Sequence, residues 1–464
     1  MITLIAISGL GIICLLLEIL NMRKILVPII LLGLAGILGM TIFEFCKEES
    51  LISSDMYGMI RCTDYSRAFS ILFIILAALV IAMSPRFYEN NIVKIADYVS
   101  LKVFLLAGAV AMVSFGNFAM FFIGLEVLSI AGYVLASSNP KSLSSNEAGM
   151  KYFIMGAFAS SFILFGIALV YGATGSFDMG EIMSSVSAQG ENIPIWFGIG
   201  FIMIVVGLLF KASLAPFHFW APDVYEGSPT LVTALMSTLV KVAAIAALYK
   251  VATMLSAGVT PAFQTIIIAV SILSMTMGNV TALKQKNIKR LMAYSGVSHA
   301  GFMVMTLVAL GTSATTVIYY ASAYSLAGIA AFAVILAVCR GKGNEDITHF
   351  HGLGKRQPLL AAILAGSLMS LGGIPVFAGF FAKFFVFTQM LQVDYLLLVI
   401  VGIINSGIAV FYYYGVINVM YTKESVITEK TKTPAEYMAV GVIAIGLNIL
   451  LGVFPSIVMG LELL

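Results

Sequence analysis

Residues 208–230 read LLFKASLAPFHFWAPDVYEGSPT, placing Lys211, Pro216 and His218 in a run that is otherwise apolar. Pro216 has no N–H, and its ring clashes with the carbonyl of Ala212, so a helix carrying Lys211 must break about one turn past the lysine. The setting makes that break costly. Of 464 residues, 61% are hydrophobic and 10% charged, with a mean hydropathy of +1.05, which is a membrane composition and not that of a soluble domain. Irregular backbone at membrane depth is tolerated only beside protein or water. A charge and a broken helix in one place therefore call for a function.

A bilayer core takes about 20 apolar residues per helix, and the long apolar runs differ from the short alternating segments of an outer-membrane barrel. Fourteen spans are expected, at 2–20, 24–43, 67–84, 98–115, 117–137, 149–172, 195–215, 230–251, 261–283, 289–310, 314–339, 357–377 continuing to 391, 395–420 and 436–460. The first run has no basic residue or small-residue cleavage site to mark a signal peptide, and Arg23 and Lys24 follow it, so it reads as a retained span.

Loop charge orients the chain. One side collects most of the loop lysines and arginines, from Arg23 and Lys24 through Arg86, Lys286, Arg340 and Arg356 to Lys430 and Lys432. The other is left with Lys47, Arg61, Arg67 and Lys250, and with the acidic loop 173–194. The expected protein is multi-pass in a bacterial inner (plasma) membrane, with both termini on the outer face. A net charge of +3 is then a topology signal and not a nucleic-acid footprint. Cys14, Cys46, Cys62 and Cys339 lack metal-ligand spacing. Cys46 and Cys62 border one outer loop, where a disulfide or two thiols would both be possible. No phosphate loop, nucleophile elbow or haem motif is present.

Ionisable residues inside spans are functional hypotheses by default, because lipid makes them expensive. They are Glu126, Lys151, Lys211, Lys241 and Lys383, with His218 and His299. Lys102 and Lys151 lie near span ends and could snorkel. Lys241 shares a face with Thr230, Thr233 and Ser237 at helical spacing, a polar stripe that suggests a hydrated path unless the hydroxyls only bond back to the preceding turn. A second break falls in SLMSLGGIPVFAGFFAKFFVF, residues 367–387, where Gly372, Gly373 and Pro375 interrupt a span and Lys383 follows. Two broken helices in corresponding places indicate inverted repeats. The expected organisation is an N-terminal three-helix segment at 1–97, repeats of five spans at 98–251 and 261–420 with the break in the fourth span of each, and a C-terminal loop and helix at 421–464.

Five ordered stretches carry a resemblance: GLEVLSIAGYVLA, NEAGMKYFIMGAFASSFILFGIALVYGATGS, FKASLAPFHFWAPDVYEGSPT, NIKRLMAYSGVSHAGFM and GGIPVFAGFFAKF. Over residues 67–420 the chain resembles the antiporter-like membrane subunits of respiratory complex I, the proton-pumping NADH:quinone oxidoreductase, and among them subunit N most closely. The resemblance implies an all-α polytopic protein with two inverted five-helix repeats and a proton-translocating axis of Glu126, Lys151, Lys211, Lys241 and Lys383, with His218 and His299 along it. Lysine at 383 departs from subunit M, and the chain is short for subunit L. The resemblance also implies partners of the K-, M- and L-type, a peripheral electron-transfer arm, and FMN, iron–sulfur clusters and quinone in other chains, with no cofactor here. A sodium/proton antiporter subunit, a membrane-bound hydrogenase subunit and a purely structural scaffold remain alternatives.

The residue types suit proton transfer. Burial disfavours a charged lysine and a nearby carboxylate favours it, so the approach of Glu126 to Lys211 is a proton switch. Moving one charge through 100 mV costs about 2.3 kcal/mol, and two pKa units supply about 2.7 kcal/mol.

Overall fold

The computed structural model describes residues 2–47, 58–256, 260–310, 314–424 and 433–461. These are helical throughout their membrane-length segments. Twelve helices are long and apolar enough to cross a bilayer: α1 (Ile2–Ile19), α2 (Arg23–Lys47), α3 (Asp64–Ala82, continuing to Phe87), α4 (Ile95–Ser114), α5 (Phe118–Ala136), α6 (Leu143–Thr174), α10 (Thr230–Leu255), α11 (Thr260–Ala282), α12 (Ile288–Met305), α13 (Ala314–Val338), α16 (Leu396–Thr422) and α17 (Ala435–Val453). Two shorter apolar helices, α8 (Ile195–Lys211) and α14 (Pro358–Gly372), stop at the two sequence breaks and continue as α9 (Trp220–Gly227) and α15 (Ala378–Gln392). Together they account for the fourteen expected spans. An amphipathic helix, α7 (Met179–Gln189), was not expected in the acidic loop.

Side-chain caps set where helices begin. Asn117 accepts from Met120 N at 2.9 Å at the start of α5, and Asn287 from Lys289 N at 2.8 Å at the start of α12, satisfying donors that have no partner in the first turn. The two halves share a clasp. Asn117 forms a β-bridge with Asp178, the cap of α7, while Asn287 forms one with Asp346, the cap of a short 3₁₀ turn at Ile347–Phe350. The backbone N–H of Thr348 holds the Asp346 carboxyl below the usual carboxylate range. The first clasp gathers Gly58, Arg61 and the 173–194 loop on one face, where Arg61 pairs with Asp178 at 3.1 Å. The second gathers 284–290 and 340–347 on the face where Arg340 also reaches Glu89. One motif on opposite faces is the mark of inverted repeats, and it keeps the acidic loop apart from the basic ones.

Helices α10, α12 and α13 form the centre: the whole most apolar window of α10 is buried, against 33% for α1 and α17. Small residues let helices touch there, as at Gly108 and Gly124, where an added Cβ would meet the facing α5 and α4 backbones at 2.6 and 2.9 Å.

Two sequence expectations need correction. Lys250 does not lie in an outer loop. It is buried and donates to Val113 O at 2.8 Å and Phe115 O at 2.7 Å, where the carbonyls ending α4 attract a cation. Lys102 does not snorkel but is fully buried, donating to Ser84 Oγ at 2.8 Å. The choice left open at Cys46 and Cys62 falls to thiols, since no disulfide joins them. Lys430 and Lys432 lie outside the described residues.

Candidate functional site

Three buried lysines each sit at an interruption of helix geometry. Lys211 ends α8. Beyond it Ser213 takes φ +57°, and Ala215–Pro216 is cis. The break is satisfied by protein, as Trp220 Nε1 donates to Phe210 O at 3.0 Å and Ala215 N to Ser274 Oγ at 2.9 Å. The ammonium of Lys211 donates to Tyr133 Oη at 2.8 Å, Ser129 Oγ at 2.9 Å and Gly156 O at 3.4 Å. Glu126, one turn before Ser129, is within electrostatic reach of this lysine, but the two form no ion pair in this structure, and its buried Oε1 has no hydrogen-bond partner among the described residues. The cradle that holds Lys211 is neutral.

Lys241 follows a π-helical turn, Met236–Val240, an irregularity that recurs at functional sites. It is buried, and among the described residues its Nζ has no hydrogen-bond partner. Tyr225 presents its ring 5.8 Å away. A Cβ at Gly296 would stand 2.6 Å from Lys241 Nζ and 2.9 Å from Tyr324 Oη, so the glycine makes the room in which ammonium and phenol meet. Gly296 stands nine residues after Asn287, as Glu126 does after Asn117. Where the first half carries a carboxylate, the second leaves space for a lysine. The expected stripe exists, but its hydroxyls engage carbonyls: Thr233 donates to Tyr225 O at 2.9 Å and Ser237 to Ala234 O at 3.1 Å. Their oxygens keep lone pairs free to accept.

Lys383 lies under the second break, donating to Gly372 O at 2.9 Å, Leu371 O at 3.2 Å and Ser406 Oγ at 2.8 Å. Gly373 and Val376, flanking Pro375, both take φ +87°. Between Lys241 and Lys383 stands His299, within electrostatic reach of both. Its Nδ1 is 2.9 Å from Tyr320 Oη and its Nε2 3.3 Å from Tyr413 Oη, and Tyr413 also bonds Ser295. A void of about 10 Å³ lined by His299, Tyr324, Ser370 and Leu371 is roughly the size of one water. His218 is buried inside the first break, with an unpartnered Nδ1 among the described residues.

Lys151 does not join this row. It pairs with Glu147 at 2.7 Å and Asp223 at 3.1 Å, with its side chain 42% exposed, and Arg290 bridges Asp223 and Glu226. At 32 residues, α6 is longer than a bilayer needs, and Lys151 sits toward the end that projects beside the basic loops. Sequence reading missed Ser129, Tyr133, Tyr324 and Tyr413. The first two were legible, because Glu126, Ser129 and Tyr133 repeat at helical spacing on one face.

The family described as NADH:quinone oxidoreductase/Mrp antiporter, TM, matches residues 116–409. NADH-quinone oxidoreductase subunit N of Flavobacterium johnsoniae is 57% identical over 99% of both chains, and that of Cytophaga hutchinsonii 40% identical over 98% of both. The chain belongs to the antiporter-like membrane subunit family of NADH:quinone oxidoreductases. A chain of respiratory complex I from Thermus thermophilus superposes with TM-score 0.84 at 30% identity, covering 99% of this chain and 98% of that one. A chain of an archaeal membrane-bound sulfane sulfur reductase gives 0.87 at 25% identity over 98% and 95%. A chain of the Mrp complex of Dietzia shares the fold at 0.86 and 19% identity over 98% and 94%. This family member is thus a proton-translocating membrane subunit of an NADH:quinone oxidoreductase. Among the described residues no three His, Cys, Asp or Glu side chains converge as metal ligands.

Proposed function

We propose that protons cross this subunit along Lys211, Lys241, His299 and Lys383, with Glu126 biasing Lys211 and with Tyr133, Tyr324 and Tyr413 as hydroxyl stepping stones. The observation that carries this reading is the coincidence of each lysine with a helix interruption: the break after α8, the π turn of α10 and the break between α14 and α15. Interrupted helices present mobile polar backbone to a charge, as transport sites in membranes do. Lys211 in a neutral cradle and Glu126 set apart correspond to the open form of the pair. His218, buried in the first break, belongs to the same row. We leave Lys151 out of it, as part of the water-facing ion network.

In this proposal the subunit sits in a bacterial plasma membrane beside K-, M- and L-type membrane subunits. Electrons travel elsewhere, through a peripheral arm carrying FMN and iron–sulfur clusters to quinone. The basic face is cytoplasmic and both termini are outside, as the loop charge bias requires. Cysteine introduced at Lys286 should then react with an impermeant reagent only from the cytoplasmic side, while one at Ser184, in the acidic loop, reacts from outside. Labelling of position 286 in intact cells would reverse the orientation.

Gly296→Ala tests whether the space at Lys241 matters. A methyl there must push aside the flexible end of Lys241 and the Tyr324 hydroxyl, so assembly should persist while pumping falls by about tenfold, less than the roughly hundredfold loss of a positioned proton-transfer group. Native pumping in the alanine variant would remove Lys241 Nζ and Tyr324 as neighbours in the path.

A further inference from the structure

On the basic face a cavity of about 680 Å³ opens between the halves, lined by Glu89, Glu226, Lys289, Arg290, Thr230 and Glu345 among others. Glu345 connects it to the interior. Its Oε1 accepts from Thr230 Oγ1 at 2.8 Å and from Lys289 Nζ at 3.2 Å, and Lys289 is pinned to Ser228 O at 2.7 Å. The backbone fixes the carboxylate there, since Ile288 N donates to Glu345 O at 2.9 Å and Ile347 N to Lys286 O at 2.9 Å. The side chain is 21% exposed, one edge toward the cavity and one against the first hydroxyl of the row Thr230, Thr233, Ser237 that ends at Lys241.

Resting on the pathway proposed above, we infer that Glu345 is the proton-loading carboxylate through which protons leave the cavity for the hydroxyl row of α10 and Lys241. A hydronium in the cavity protonates the carboxylate, forming an O–H bond and leaving water. The carboxyl proton passes to the Thr230 oxygen as the threonine's own proton moves inward, and the last transfer forms an N–H bond on the neutral amine of Lys241. Glu345 is again a carboxylate, one proton has moved, and no electron has. No other cavity carboxylate touches this row among the described residues: Glu89 pairs with Arg86 and Arg340, Glu226 with Arg290, Glu147 with Lys151, and Asp223 with Lys151 and Arg290. The other titratable groups facing Glu345 are Cys339 and His349, at the ends of α13 and of the 3₁₀ turn.

The test uses the intact complex in proteoliposomes with Glu345→Gln, Glu345→Asp, Thr230→Val and Glu89→Gln, and Lys241→Ala in parallel. Assembly is checked by NADH oxidation with an artificial acceptor. Glu345→Gln should lower coupled turnover by at least about tenfold and flatten its dependence on the pH of the cytoplasmic compartment, Glu345→Asp should restore both, Thr230→Val should reproduce the loss, and Glu89→Gln should leave both unchanged. Native turnover and pH profile in Glu345→Gln, with Lys241→Ala inactive, would overturn the loading role alone. Native pumping in both would overturn the pathway. An equal loss in Glu89→Gln would show that general cavity charge is at work and overturn the assignment. If Glu345→Gln fails to assemble, Glu345→Asp and Thr230→Val carry the same decision.

Discussion

Lys241→Ala in the intact complex is expected to stop proton pumping and to slow coupled quinone reduction by about a hundredfold, the loss typical of removing a positioned proton donor and acceptor. The complex should still assemble. Lys241 makes no hydrogen bond among the described residues, so truncating it strands no partner, and the row ending at Tyr324 and Ser237 keeps its own bonds. The comparison is Lys250→Ala, nine residues along the same helix. That ammonium is as deeply buried but tied to Val113 O and Phe115 O, and its removal leaves two carbonyls short of a donor, at about 1–3 kcal/mol each. Lys250→Ala should therefore reduce the yield and thermal stability of the complex while what assembles pumps normally. If Lys241→Ala pumps at the native rate, the central lysine is only a structural charge.

The second large effect concerns Glu126 and Lys211. Lys211→Ala should lower pumping about a hundredfold and Glu126→Gln by about tenfold, and the double variant should fall no further than Lys211→Ala alone. The carboxylate acts only through the charge it biases, so removing the charge removes its influence. Tyr133→Phe is the discriminating third change, because it deletes one donor–acceptor contact at 2.8 Å and leaves Ser129 and Gly156 in place. A switch between a neutral cradle and a carboxylate predicts that Tyr133→Phe shifts Lys211 toward Glu126. Pumping would then be impaired even though the lysine remains. A double-mutant cycle in proteoliposomes measures the coupling, and a deviation from additivity below about 0.5 kcal/mol would leave the pair independent and the switch wrong.

Much of this was legible in the sequence. Hydropathy located every span, because each must satisfy the same bilayer thickness, and Pro216 and the Gly372–Pro375 run located the breaks, because proline and glycine act locally. Lys211, Lys241 and Lys383 were conspicuous as charges in apolar surroundings. Lys151 looked alike but belongs to a surface network, since its partners Asp223 and Arg290 come from other helices and no local pattern announces them. The same holds for Lys250, whose burial is decided by the end of α4, and for the π turn before Lys241, which leaves no mark in the sequence. Glu345 passed unnoticed as one acid in a polar loop, and only the clasp between Asn287 and Asp346 sets it against Thr230.

Lys383 holds two carbonyls at the end of α14 while its own backbone belongs to α15, so its ammonium is a rivet across the broken helix. When a proton departs, a neutral amine keeps fewer and weaker donors for those oxygens, and each unmade bond costs about 1–3 kcal/mol. The gap between the two half-helices then has less reason to stay closed. If Lys383 carries protons as proposed, its charge state sets how firmly the two half-helices hold together, and the second break acts as a spring tuned by one proton.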